Sequence, residues 1–120
     1  MKTITEGHRY ELANFENKEA KGQEIQFIEK KSVNDMRLNH IPMPDGSDYP
    51  EDLDALVTIN DGTTNEEVLE MLIDRLTILN TKFPCKENDV AITHMETALL
   101  WLNKRTQDRL KRGVEGKQIK

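Results

Sequence analysis

The sequence predicts an α+β fold, a small N-terminal antiparallel β-sheet followed by a long C-terminal antiparallel helical hairpin. Three observations carry that reading. Alternation of apolar and polar residues with period 2 is confined to the first thirty positions, whereas apolar spacings of three and four fill the second half. Three of the four prolines fall between these regions, and the fourth, Pro84, divides the helical half in two. The organisation that follows is an N-terminal β region over 1–60, a hairpin over 61–113 and a basic tail over 114–120.

In the β region, Tyr10 and Leu12 alternate with Arg9, Glu11 and Ala13, and Ile25 and Phe27 alternate with Glu24 and Gln26. Both runs read as half-buried strands, joined as a β-hairpin through the polar stretch from Asn17 to Gly22. A short strand is expected around Met36 to Ile41 and another over Ala55 to Ile59. Between them, residues 42–55 hold Pro42, Pro44 and Pro50 with five acidic groups, the composition of a loop. Asn60-Asp61-Gly62 reads as a turn.

Thr64-Asn65-Glu66-Glu67 matches a capping box and starts the first long helix. Val68, Leu69, Leu72, Ile73, Leu76, Leu79 and Phe83 then form one broad apolar stripe through about Thr81. Pro84 stops that helix. The second runs from about Asn88 or Asp89, with Asn88 as its N-cap, to Arg112, and Gly113 takes the stop position. Its 24 or so residues rise about 36 Å, so its last two turns overhang the shorter partner.

Composition narrows the function. Apolar residues are 36 % and charged residues 32 % of 120, which suits a small, wet domain whose core is completed by a copy of itself; an oligomer is expected. The longest apolar run, Ala98 to Leu102, is far below the roughly 20 residues of a membrane span, no secretory signal is evident at the start, and Cys85 is the sole cysteine. A soluble protein of a reducing cytoplasm is expected. Net charge is −5, unevenly spread: residues 104–120 carry seven basic and two acidic side chains, and the other 103 residues carry ten basic and twenty acidic. A positive end on a negative body holds a small anion and repels duplex nucleic acid.

Trp101, Arg105, Arg109 and Arg112, spaced 4, 4 and 3, put an indole and three guanidiniums along one side of the second helix. Guanidiniums fork onto phosphate oxygens and stack on bases, so this line suits a nucleotide. Basic residues also favour any helix C-terminus, an alternative that sequence alone leaves open. Phe83 is either a stacking platform at the bend or the plug of the hairpin core. Asn88 is a candidate polar contact. His8, His40 and His94 lack partners at ligand spacing, so no metal site is expected, and neither a phosphate-binding glycine loop nor a nucleophile motif is present. The chain reads as a binder that needs no cofactor, with a nucleotide-hydrolysing enzyme and a hairpin module for a protein or nucleic acid as rivals.

The wording of the second half narrows this further. Asn60-Asp61-Gly62-Thr63-Thr64-Asn65-Glu66-Glu67-Val68-Leu69, Lys82-Phe83-Pro84-Cys85-Lys86-Glu87-Asn88, Ala98-Leu99-Leu100-Trp101-Leu102-Asn103-Lys104-Arg105-Thr106 and Arg112-Gly113-Val114-Glu115-Gly116 together resemble the hairpin shared by phage anti-Thoeris and anti-CBASS sponges. His8-Arg9-Tyr10-Glu11-Leu12 and Gln26-Phe27-Ile28-Glu29-Lys30 resemble the β part of the anti-Thoeris member, leaving 32–55 as individual. The resemblance implies a protein of the infected bacterial cytoplasm that sequesters a cyclic nucleotide messenger, a cyclic ADP-ribose isomer or a cyclic oligonucleotide, without cleaving it. It implies a homodimer or larger homo-oligomer with pockets where protomers meet. It further implies that Phe83 stacks on adenine and that Arg109 and Arg112, then Arg105, hold the pyrophosphate, and it adds Thr93 as a candidate polar contact.

Overall fold

The computed structural model describes residues 1–113, so the basic tail expected at 114–120 lies outside the described residues. Two compact units are present, one over Met1–Thr63 and one that begins at Thr64. The α+β reading holds: short antiparallel strands precede a long helical hairpin.

The first unit opens with a three-stranded sheet of β1 (Lys2–Thr5), β2 (Arg9–Leu12) and β3 (Gln23–Gln26), in that spatial order and antiparallel throughout. β2 and β3 are the expected hairpin, with Tyr10 opposite Ile25. β1 was not foreseen. Its Thr3, Ile4 and Thr5 are all β-branched and suit a strand, and Gly7, at φ +76°, turns the chain into β2. After β3 the chain leaves this sheet. Phe27 forms a single parallel bridge with Thr63, Thr63 N–H donates to the Gln26 carbonyl at 2.9 Å, and Ile28 N–H donates to the Thr63 carbonyl at 2.8 Å. Gly62 is required here, because a Cβ at that position would run into the Gln26 carbonyl. The Phe27 ring meets Tyr10 edge to face, with centroids 6.1 Å apart.

β4 (Glu29–Ser32) and β5 (Leu56–Asn60) form a second, two-stranded antiparallel sheet. The strand expected around Met36 to Ile41 is instead the end of a helix, α1 (Val33–Leu38), and its continuation. The reason is the N-terminus of that helix. Ser32 Oγ accepts the Asp35 N–H at 3.1 Å, while the Val33 and Asn34 N–H groups donate to the carbonyls of Ala55 and Leu53. With its first three donors satisfied, a six-residue helix is stable enough to persist. It turns Val33 and Met36, one turn apart, inward, and both are fully buried. The loop that follows is pinned by Tyr49, whose hydroxyl donates to the Ile41 carbonyl at 2.5 Å.

The second unit is α2 (Asn65–Lys82) and α3 (Lys86–Lys111). Thr64 caps α2 as expected, its hydroxyl accepting the Glu67 N–H at 3.2 Å. α3 begins earlier than the sequence suggested. Its N-cap is Cys85, so Asn88 is the third helical residue rather than the cap. Gly113 ends α3 at φ +70°, the left-handed stop that glycine takes without strain.

Because Met36 is enclosed on all sides, Met36→Ala should lower stability of the first unit by about 2–5 kcal/mol, while Met36→Leu should cost less than about 1.5 kcal/mol. Denaturant unfolding of both variants decides this, and equal losses would contradict the packing described.

Candidate functional site

The hairpin carries every residue that the sequence singled out. On α2, Leu69, Ile73, Leu76 and Asn80 are half-buried and follow one another at spacings of 4, 3 and 4. Leu72 and Leu79, which the sequence grouped with them, are exposed together with Met71 and Ile78. The single broad stripe is therefore two faces. One is sheltered by α3, and the other is uncovered within this chain.

On α3 the sheltered row is Asn88, Ile92, Met95, Leu99, Leu102, Thr106 and Arg109, all half-buried or buried at spacings that alternate 4 and 3. Arg109 is 5 % exposed and is engaged by other groups. The line of one indole and three guanidiniums thus divides. Arg109 turns about 40° away from Arg105 and about 60° from Arg112, at 100° per residue, into the sheltered row. Trp101, Arg105 and Arg112 stay outside, Trp101 at 66 % exposure.

At the other end of α3, Phe83 closes α2 with φ −137° and ψ 79°, and 79 % of it is exposed. The structure therefore excludes the plug reading: the ring lies outside the hairpin core. Asn88 is half-buried and Thr93 exposed, the latter donating its hydroxyl to the Asp89 carbonyl at 3.0 Å. Phe83, Asn88 and Thr93 share the bend, while Arg105, Arg109 and Arg112 share the far end. With a rise of 1.5 Å per residue, roughly 28 Å of helix separates Lys86 from Arg105. One chain does not bring the ring and the guanidiniums together.

The bend contains one residue that the sequence reading missed. Asn80 Oδ1 accepts the Cys85 N–H at 3.0 Å, and Asn80 Nδ2 donates to Asp89 Oδ1 at 2.6 Å. A donor at the start of α3 is thus satisfied from α2, which is why α3 starts before Asn88. The available signal was an asparagine near the end of a helix that a proline is about to stop.

A groove of about 450 Å³ runs between the two helices near their middle, floored by Ile73, Leu99 and Leu100 and edged by Glu70, Asp74 and Glu96. Those carboxylates repel phosphate, so the groove does not suit an anionic ligand. Positive charge gathers instead at the end of α3. There Lys104 donates to Asp108 Oδ2 at 2.8 Å, and this bond, with Lys111 and Arg112 nearby, holds the Asp108 carboxyl below its ordinary value of 3.8. Among the described residues, no three His, Cys, Asp or Glu side chains gather as a metal site, and no helix is long and apolar enough to cross a membrane.

With this geometry in view, the family model described as Acb2/Tad1, hairpin domain, matches residues 46–107, more than half of the sequence. The chain belongs to the Acb2/Tad1 hairpin family. A curated relative, Thoeris anti-defense 1 of Bacillus phage SBSphiJ7, is 54 % identical over 56 residues, which are 46 % of this chain and 39 % of that protein. Less than half of the relative is therefore spanned. The Acb2/Tad1 match takes in residues 46–55, part of the stretch that the sequence reading set aside as individual. It includes Phe83, Asn88, Thr93 and Arg105 and stops before Arg109 and Arg112.

Because the folded Asp108 carboxyl is held low, its stabilising contribution is complete above pH 3.8 and is lost as pH falls through the lower folded value. A carbon-detected NMR titration should place the Asp108 midpoint below 3.8 and move it upward in Lys104→Met. A midpoint that the substitution leaves unmoved would show that the pair does not form in solution.

Proposed function

We propose that this chain is a phage anti-Thoeris protein that sequesters a cyclic nucleotide immune messenger, held where copies of the chain meet and released uncleaved. Membership of the Acb2/Tad1 hairpin family is the observation that carries the reading. The identity to Thoeris anti-defense 1 over the aligned stretch supports it. The preferred ligand is a cyclic ADP-ribose isomer, with a cyclic oligonucleotide as the related alternative.

Such a ligand presents a flat purine and two negative phosphates. An uncovered phenyl ring answers the first, and Arg105 and Arg112 answer the second. Base stacking contributes about 1–3 kcal/mol. Each charge-assisted hydrogen bond contributes about 1.5–3 kcal/mol. The length of α3 keeps these groups apart within one chain, so a ligand about 10 Å across reaches both only if the bend of one copy lies against the basic end of another. The uncovered apolar face of Met71, Leu72, Ile78 and Leu79 is suited to such pairing. Arg109, buried in the single chain, supports the ligand site by holding the end of α3 rather than by direct grip.

The test is calorimetric titration with cyclic ADP-ribose isomers and a cyclic trinucleotide, followed by heat denaturation and chromatography of what is released. Tight binding and intact messenger are expected, and fragments in the supernatant would reverse the conclusion. Phe83→Ala, Arg105→Ala and Arg112→Ala should each weaken binding by about 10- to 100-fold, the size of one lost stacking or charge-assisted contact. Arg109→Ala should lower the melting temperature, which the Arg105 and Arg112 substitutions leave in place.

A further inference from the structure

We infer that Asn80 is the positioning residue of the bend, fixing the backbone that aims the Phe83 ring; the part concerning the ligand rests on the function proposed above. Little packs against the ring, since 79 % of Phe83 is exposed. Its direction depends on the three-residue connection Phe83-Pro84-Cys85. Phe83 N–H donates to the Leu79 carbonyl at 3.0 Å, a bond inside the end of α2, and Asp89 N–H donates to the Cys85 carbonyl at 3.2 Å, a bond inside the start of α3. Neither crosses the bend. Among the described residues, the hydrogen bonds that do cross it are the two made by the Asn80 side chain, to Cys85 N–H at 3.0 Å and to Asp89 Oδ1 at 2.6 Å.

The chemistry of the amide suits this task. A primary amide, with an acceptor and a donor on one carbon, takes a backbone N–H and gives to a carboxylate at once. The bond to Asp89 is charge-assisted, and its carboxylate sits in the first turns of α3, where the helix dipole favours a negative charge. Cys85 makes no side-chain cap of its own, and its N–H, which a capping box would satisfy from within the helix, is taken by Asn80 from α2 instead. Pro84 fixes its own φ. With Cys85 tied to Asn80, the two residues after Phe83 are both restrained, and the ring is held ready without being buried. A ring already aimed loses less freedom when a purine stacks on it.

The decisive experiment combines amide hydrogen exchange with messenger affinity in four variants of the full chain. Asn80→Ala should speed exchange of the Cys85 amide at least about tenfold and weaken messenger binding by about tenfold, the loss expected for a hydrogen bond. Asn80→Asp alone should do worse, because it sets two carboxylates against each other. The double exchange Asn80→Asp with Asp89→Asn swaps donor and acceptor and should restore both readouts, which a merely structural loss would not allow. In a Phe83→Ala background, Asn80→Ala should leave affinity unchanged. Unaltered Cys85 exchange in Asn80→Ala would overturn the assignment, and so would faster exchange with undiminished affinity. If the wild-type chain binds no messenger, the function proposed above fails, whereas the exchange data still decide whether Asn80 holds the bend.

Discussion

Contact between α2 and α3 through one narrow row on each helix is the constraint from which the rest follows. A 4-3 rhythm on α3 from Asn88 to Leu102, the length that α2 can cover, fixes the rotation of that helix about its axis, and with it the direction of every other side chain along 26 residues. Rotation by a single position would have put Arg105 rather than Arg109 close to shelter. As built, Trp101, Arg105 and Arg112 are outside because Leu99, Leu102 and Thr106 are inside. The face proposed to meet the ligand is the remainder left by the packed one.

The same rod limits what one copy can bring together. Helices do not bend to bring their ends together, so side chains at the bend and at the basic end stay nearly 30 Å apart within one copy. α2 has no buried residue and leaves Met71, Leu72, Ile78 and Leu79 uncovered, while the fully buried hydrophobic core of the described residues is Val33 and Met36. Burial of that face against another surface would add stability to a hairpin this poor in buried area. The proposed pairing of bend with basic end joins that need for burial to the assembly of a site.

Much of this was legible in the sequence, and the failures have physical causes. Thr64 and Glu67 marked the start of α2, and Gly113 marked the end of α3, because caps act through neighbours in the chain. The strand expected at Met36 to Ile41 failed because the helix there is stabilised by carbonyls of Leu53 and Ala55, some twenty residues away in sequence. Asn88 looked like a cap for the same kind of reason: the acceptor in fact comes from Asn80 across the bend. The arginine line was legible as positions but not as directions. Three or four residues of spacing permit a spread of about 80° from Trp101 to Arg109, and spacing alone does not decide which of them is sheltered.

Charge distribution along the hairpin bears on the size of ligand it can take. The middle is acidic, with Glu70, Asp74 and Glu96 around the groove, and the end of α3 concentrates Lys104, Arg105, Arg109, Lys111 and Arg112 against Asp108 alone. Charges are felt over about 8–10 Å at physiological salt, which is close to the width of a single cyclic dinucleotide. An anion of that size therefore experiences the basic end without the carboxylates behind it. A long polyanion extended along the same helix would gain at one end what it loses in the middle, and its binding would not grow with length as it does on a uniformly basic surface. For the proposed messenger, preference over nucleic acid would be set by where positive charge stops along α3, a property of the helix as a whole rather than of any one guanidinium.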